Sequence, residues 1–154
     1  MDAAAMTRHI TETFDRIQAV ESSGDTFFSY DAPGDQWLLF ATVVTGDTYD
    51  SVSRLSRAGA YRLNIGLTKA TYVSRFGPAP TLRDEHGVLE TGFDHAVPDV
   101  VMPHPHYASQ YWVCVVNPAA GTLDDVRVLL DEAYRFAARK HANRSARDQL
   151  HTRG

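Results

Sequence analysis

Two strand-length segments of this chain are apolar on both of their alternating faces, and no other feature limits its folding as tightly. Residues 37–44 read WLLFATVV and residues 110–117 read QYWVCVVN. Successive side chains of a strand point to opposite sides, so such segments need cover above and below. A third segment, 60–67, divides its faces: Tyr61, Leu63, Ile65 and Leu67 share one side, and Arg62, Asn64 and Gly66 share the other.

The remaining elements follow from periodicity and punctuation. Met6, Ile10, Phe14 and Ile17 recur at helical spacing and predict an amphipathic helix over about residues 4–20, stopped by Ser22, Ser23, Gly24 and Asp25. Residues 26–30 form a short aromatic-rich strand, and Asp31-Ala-Pro-Gly-Asp35 is good turn chemistry. The stretch 46–59 carries Asp47, Asp50, Arg54 and Arg57 and is read as a polar loop. Thr68 caps a short helix through Phe76 that Gly77-Pro78 ends. Residues 78–98 contain Pro78, Pro80, Gly87, Gly92 and Pro98, an irregular crossing of a length uncommon unless the loop is functional. Residues 100–102 extend into Pro103. Thr122-Leu-Asp-Asp125 opens, like a capping box, a helix with Val126, Leu130, Ala133 and Ala137 in one stripe. The expectation is one α+β domain over 1–141: a largely antiparallel sheet with amphipathic N- and C-terminal helices packed against it. A basic tail, 142–154, is expected to fray.

A chain of 154 residues fits one domain, and its 44% apolar and 22% charged content argues against wholesale disorder. Cys114 is the only cysteine, so neither an internal disulfide nor a cysteine-rich zinc site is available. The opening residues do not resemble a secretory signal, and no apolar run approaches the ~20 residues that span a bilayer. A cytoplasmic location without membrane contact is therefore expected. From residue 135 onward six Arg or Lys face one acid, a net +5, which leaves −9 on residues 1–134 of the total −4. An acidic body repels phosphates and makes nucleic acid an unlikely partner. The basic end either complements a helix dipole or meets an anionic macromolecule. Monomer and homodimer both fit.

Met102-Pro-His-Pro-His-Tyr107 is the most distinctive chemistry-bearing stretch. A residue before proline is driven to extended geometry, so Met102 and His104 are stiffly placed. If the segment is β, His104 and His106 lie on one face, at a spacing that suits two ligands of one metal; a polyproline II twist separates them. Zinc needs a third ligand, for which His86, His95, Asp94 and Asp99 are the candidates. Without metal or cofactor, either imidazole suits general acid–base work, its free pKa being about 6.5. Equally, the rings could pack or hydrogen-bond locally at the entry to the last strand. Arg62 and Asn64 line a pocket if a helix covers the polar side of their strand, where Arg could clamp an anion; otherwise they face solvent. Tyr30 and Asp31 at a strand end form a weaker pair, and Tyr107 and Trp112 could wall a ligand site. Cys114, among apolar neighbours, reads as a small hydrophobe.

DTFFSYD at 25–31, FATVVT at 40–45, YRLNIG at 61–66 and PHPHYASQYWVCVVNP at 103–118 resemble an uncharacterised bacterial family of small stand-alone proteins. The last segment is the most specific, and the family implies no activity. More distantly, a proline-containing segment, a Trp-bearing strand and a C-terminal amphipathic helix are similar to MmcQ/YjbR-like proteins. That resemblance implies a compact α+β sheet fold, a suggested DNA-binding role in the wider group, and a link in some members to antibiotic biosynthesis or resistance.

Together these features lead to a small-molecule-handling domain, either an acid/base enzyme of isomerase, cyclase or hydrolase type or a ligand-sequestering protein. His104 and His106 would be its catalytic groups, with Arg62, Asn64, Tyr107, Tyr30, Asp31 and Trp112 on the ligand. The alternative is a macromolecule-binding module that uses the basic tail.

Overall fold

The computed structural model describes residues 1–31 and 36–152. Most of the turn at 31–35 lies outside the described residues. The chain runs α1 (Ala3–Thr13), β1 (Ile17–Ser22), β2 (Asp25–Tyr30), β3 (Leu39–Val44), β4 (Arg62–Gly66), α2 (Lys69–Phe76), β5 (Met102–Pro103), β6 (Trp112–Val116) and α3 (Leu123–Thr152). The strands form one six-stranded sheet in the order β1-β2-β3-β4-β6-β5, and every neighbouring pair is antiparallel. This is the expected α+β architecture.

α1 starts where the Asp2 carboxylate accepts the Ala5 N–H at 2.8 Å. It buries Met6 and Ile10, and Phe14 follows in extended backbone. The helix predicted to run to about residue 20 therefore ends at Thr13. Ile17 keeps the helical spacing but belongs to β1, because 17–22 closes a hairpin on β2 through Ser23 and Gly24, both with positive φ (53° and 84°). A two-residue turn of that handedness matches the twist of antiparallel strands and outweighs one more turn of helix. The segment predicted as a strand from residue 37 begins two residues later: Gln36–Leu38 is a 3-10 turn and β3 starts at Leu39.

One sheet face carries the main core. Ala41 pairs with Ile65 and Val43 with Leu63, while Val113 and Val115 stand opposite Ile65 and Leu63 across the next ladder. These side chains pack with Met6, Ile10 and Phe14 and with Val126, Leu129, Leu130, Ala133 and Ala137 of α3. Full burial of aliphatic side chains contributes about 1.5–3 kcal/mol each.

α3 begins under Asp99, a residue with φ of 57° whose carboxylate accepts the N–H groups of Ala119 and Gly121 (2.9 and 3.0 Å) and the Thr122 hydroxyl. Thr122 donates to Asp99 rather than closing a box with Asp125, which is held by Arg75 of α2. The helix continues to Thr152, past His141, where fraying is predicted.

The opposite sheet face is covered by loops. Thr42, Asn64 and Cys114 stand in one row across β3, β4 and β6, with Val44, Arg62 and Val116 in the next. Loop residue Leu55 joins Val44 and Val116 in a second, small apolar cluster. Both faces of β3, β4 and β6 are thereby shielded, as their composition requires.

Candidate functional site

Arg62 projects from β4 to the loop-covered side and is 2% exposed. Its guanidinium donates to both Asp50 oxygens (Nη1 to Oδ1 3.1 Å, Nη2 to Oδ2 2.9 Å), to the Ser53 hydroxyl at 3.0 Å and, through Nε, to Asn64 Oδ1 at 3.0 Å. Asn64 in turn donates to Thr42 Oγ1 at 2.8 Å. Asp50 and Ser53 come from the 46–59 loop, which folds down on β4. The cation that the sequence suggests as a clamp for a ligand anion thus holds the protein's own carboxylate. Burial pushes the Asp50 carboxyl up, but the hydrogen bonds and charge of Arg62 outweigh it and hold the group below its ordinary range.

The histidine motif reaches this cluster from the other side. Met102 and Pro103 pair with Cys114 and Val113, and the His104 N–H donates to Trp112 O at 3.0 Å. Pro105 then turns the chain: Ala108 N–H bonds to His104 O at 3.2 Å, and a 3-10 turn follows at Ala108–Gln110. His104 is 2% exposed, and its Nδ1 accepts the N–H groups of His106 (3.0 Å) and Tyr107 (3.1 Å). That assigns the proton of the neutral ring to Nε2. Burial, then the charge of Arg62, holds its pKa well below the ordinary imidazole value. His104 therefore orders the turn that presents His106. The two rings do not share a strand face; their centroids are 6.3 Å apart at 58°.

His106 Nε2 lies 4.0 Å from Asp50 Oδ2, with the side chain 27% exposed. This nitrogen is shielded and has no hydrogen-bond partner. Tyr107 is exposed, its ring 5.0 Å from that of His104 and 6.5 Å from that of His106. Trp112 binds the turn through its backbone, accepting His104 N–H at 3.0 Å and donating to Tyr107 O at 3.1 Å. Its ring lies against Gly66, where a Cβ would come within 2.8 Å of it.

His95 joins the group from the 78–98 crossing. It is 5% exposed, its Nε2 is 2.9 Å from Thr91 Oγ1, and its Nδ1 is shielded without a partner. Burial, then the positive charge of Arg62, lowers its pKa. His95 also helps to line a groove of about 430 Å³ between this crossing and Val52, two residues beyond Asp50.

Arg62, Asn64, His104, His106, Tyr107 and Trp112 accordingly gather on one side of the sheet. Tyr30 and Asp31 do not. The Tyr30 ring packs on Tyr134 (5.6 Å) and His141 (5.2 Å) of α3, and Asp31 pairs with Arg16 (2.9 Å) and His141 (3.0 Å), on the helix side. Sequence reasoning overlooked Asp50, Ser53 and Thr42 and weighed His95 only as a metal ligand. The available signal was an acid in a polar loop, Asp50, and a basic residue, Arg62, on an otherwise coverable strand face. Among the described residues no group of three or more His, Cys, Asp or Glu is arranged to hold a metal ion. His86 stands on the surface and Asp99 caps α3. The Cys114 thiol is wholly buried and pushed up to about 12, first by burial.

Fold and site together define an α+β domain with a loop-covered His–Asp–Arg cluster on the sheet face away from its helices. The chain belongs to DUF6194, a family of unknown function, whose model it matches over residues 1–146. No curated protein and no solved structure matches it. No helix among the described residues is long and apolar enough to cross a membrane.

Proposed function

We propose that this chain handles a small molecule at the loop-covered face, with His106 as the group that exchanges a proton with it. The observation that carries this reading is the shielded, unpartnered Nε2 of His106 beside Asp50, itself held by Arg62. A buried polar atom without a partner is uncommon in native proteins and is expected where a ligand or water completes the site. Asp50 would orient and stabilise the imidazolium, as a carboxylate does beside a general base. Arg62, Asn64 and Ser53 would act through Asp50, and Tyr107 and Trp112 would border the ligand. Acid–base chemistry of isomerase, cyclase or hydrolase type suits this set better than covalent catalysis, since the thiol of Cys114 is buried and protonated. A ligand-sequestering protein would use the same residues without turnover.

Thermal-shift screening of a metabolite panel against the full chain and its His106→Gln variant tests the proposal. A ligand that binds only the native state raises the melting temperature by mass action. The expected hit stabilises the parent and loses most of that gain in the variant. Hits that stabilise both proteins alike would overturn the proposal. Product formation or solvent-deuterium uptake by the hit separates enzyme from sequestering protein.

A second reading, macromolecule binding through the basic end, is favoured by one observation. Lys140 and Arg144 of α3 lie over the partly exposed Trp37 ring, 5.6 and 4.9 Å from its centre. The finer kinship, a bacterial cytoplasmic protein related to MmcQ/YjbR-like proteins and connected with natural products, is part of the proposal and is supported by the sequence motifs alone.

A further inference from the structure

The groove beside His95 has a one-sided chemistry. Its lining carries the carboxylates of Asp84, Glu90 and Asp94, the apolar side chains of Leu89 and Phe93, and the imidazole of His95; no Lys or Arg lines it. Three exposed acids would not by themselves define a site. Here the nearly buried His95 ring forms part of the wall, and its Nδ1 has no partner. If Nε2 donates its proton to Thr91 Oγ1, Nδ1 is an acceptor, the complement of an ammonium N–H. Phe93 is 39% exposed, and an aromatic face attracts cations as well as apolar groups.

The neighbouring cations are engaged elsewhere. Arg62 is buried against Asp50, Arg83 donates to the carbonyls of Gly87 (2.9 Å) and His106 (3.2 Å), and Arg57 donates to the carbonyl of Ala96 at 3.2 Å. The Asp84 carboxylate accepts two backbone N–H groups, from His86 and Val88, which favour its charged form. The surrounding body, residues 1–134, is itself net negative by nine charges.

We infer that this groove selects an organic ammonium ion with an aromatic or aliphatic body, the cation meeting Glu90, Asp94 and Asp84 and the apolar part resting on Leu89 and Phe93. The inference rests on the proposed small-molecule role and assigns the class of ligand that this groove, on the same side of the sheet as His95, would take.

The test uses the full chain and three matched probes: 2-phenylethylammonium, 3-phenylpropanol and 3-phenylpropionate. Titrations at low salt are followed by amide chemical shifts. Exposed charge pairs are individually weak, so together they should give the ammonium about a tenfold advantage over the carboxylate. Shifts should centre on residues 84–95, and the preference should shrink as salt screens the charges. Glu90→Gln, a substitution at an exposed position, should reduce it about threefold while the fold stays intact. Equal or tighter binding of the carboxylate, shifts centred elsewhere, or no saturable ammonium binding overturns the inference. If the alcohol or carboxylate fills the same groove and its binding depends on His106, the ligand class fails and the small-molecule site stands. If none of the probes perturbs the groove, the ammonium inference fails, and the metabolite screen with His106→Gln decides the broader reading separately. Concentration-dependent shifts at residues 135–148 without any probe would place the basic helix of a second copy in the groove, and also overturn it.

Discussion

Asp50 grips Arg62 through both carboxylate oxygens, at 3.1 and 2.9 Å, across the boundary between an irregular loop and a central strand. The Arg62 side chain is 2% exposed and that of Asp50 10%. Removing one partner of such a pair leaves the other charge uncompensated in a poorly solvated place. Asp50→Ala should therefore cost about 3–5 kcal/mol in urea unfolding. Arg62→Met in the same chain should recover part of that loss, because the orphaned cation is gone. A single variant within about 1 kcal/mol of the parent would show that the loop is not anchored by this pair.

His104 and His106 should respond differently to truncation. His104→Ala removes the acceptor of two backbone N–H groups in a buried turn and should cost roughly 1–3 kcal/mol. His106→Ala removes a ring whose Nε2 has no partner, and Asp50 keeps Arg62, so its cost should stay below about 1 kcal/mol. Unfolding curves of the two variants check the contrast. Equal losses would make both rings scaffolding.

Gly66→Ala places a methyl within 2.8 Å of the Trp112 ring carbons. The ring must move, and with it the strand that holds the His104–Tyr107 turn. Overpacking of this kind costs typically about 1–3 kcal/mol. A lower melting temperature and a shifted tryptophan emission are the expected readouts. An unchanged melting temperature would mean that the ring has a second resting place.

Stability should fall on acidification in two windows. His104 and His95 are both held below the ordinary imidazole value of 6.5, by burial first and by the charge of Arg62 second. With a depressed folded pKa, the unfolded chain takes up protons first, so stability is full above pH 6.5 and is lost as the pH falls below it toward the folded values. Asp50, held below its ordinary 3.8, adds a second loss as the pH drops through its own folded value. Urea unfolding between pH 8 and 3 measures both. The upper window should flatten in His104→Gln, and a parent with no slope above the carboxylate range would contradict the first assignment.

The fold class was legible in the sequence, because two-faced apolar strands, a half-polar strand and two amphipathic helices have few ways to bury their surfaces together. The sequence also determined which side of β4 would carry Arg62 and Asn64, since alternation along a strand is a local property. Period alone misjudged the end of α1: Ile17 fits a helix as well as a strand, and pairing with Tyr30 decided it. The site was half legible for the same reason. His104, His106, Arg62, Trp112 and their neighbours stood out by local chemistry, whereas the sheet separates them from Tyr30 and Asp31, a relation no local pattern encodes. No local pattern told that Asp50, twelve residues before Arg62, would grip it and come within 4.0 Å of His106. Loops carry no periodicity to reveal where they land. Their positions follow from buried charges and hydrogen bonds that form only when distant segments come together.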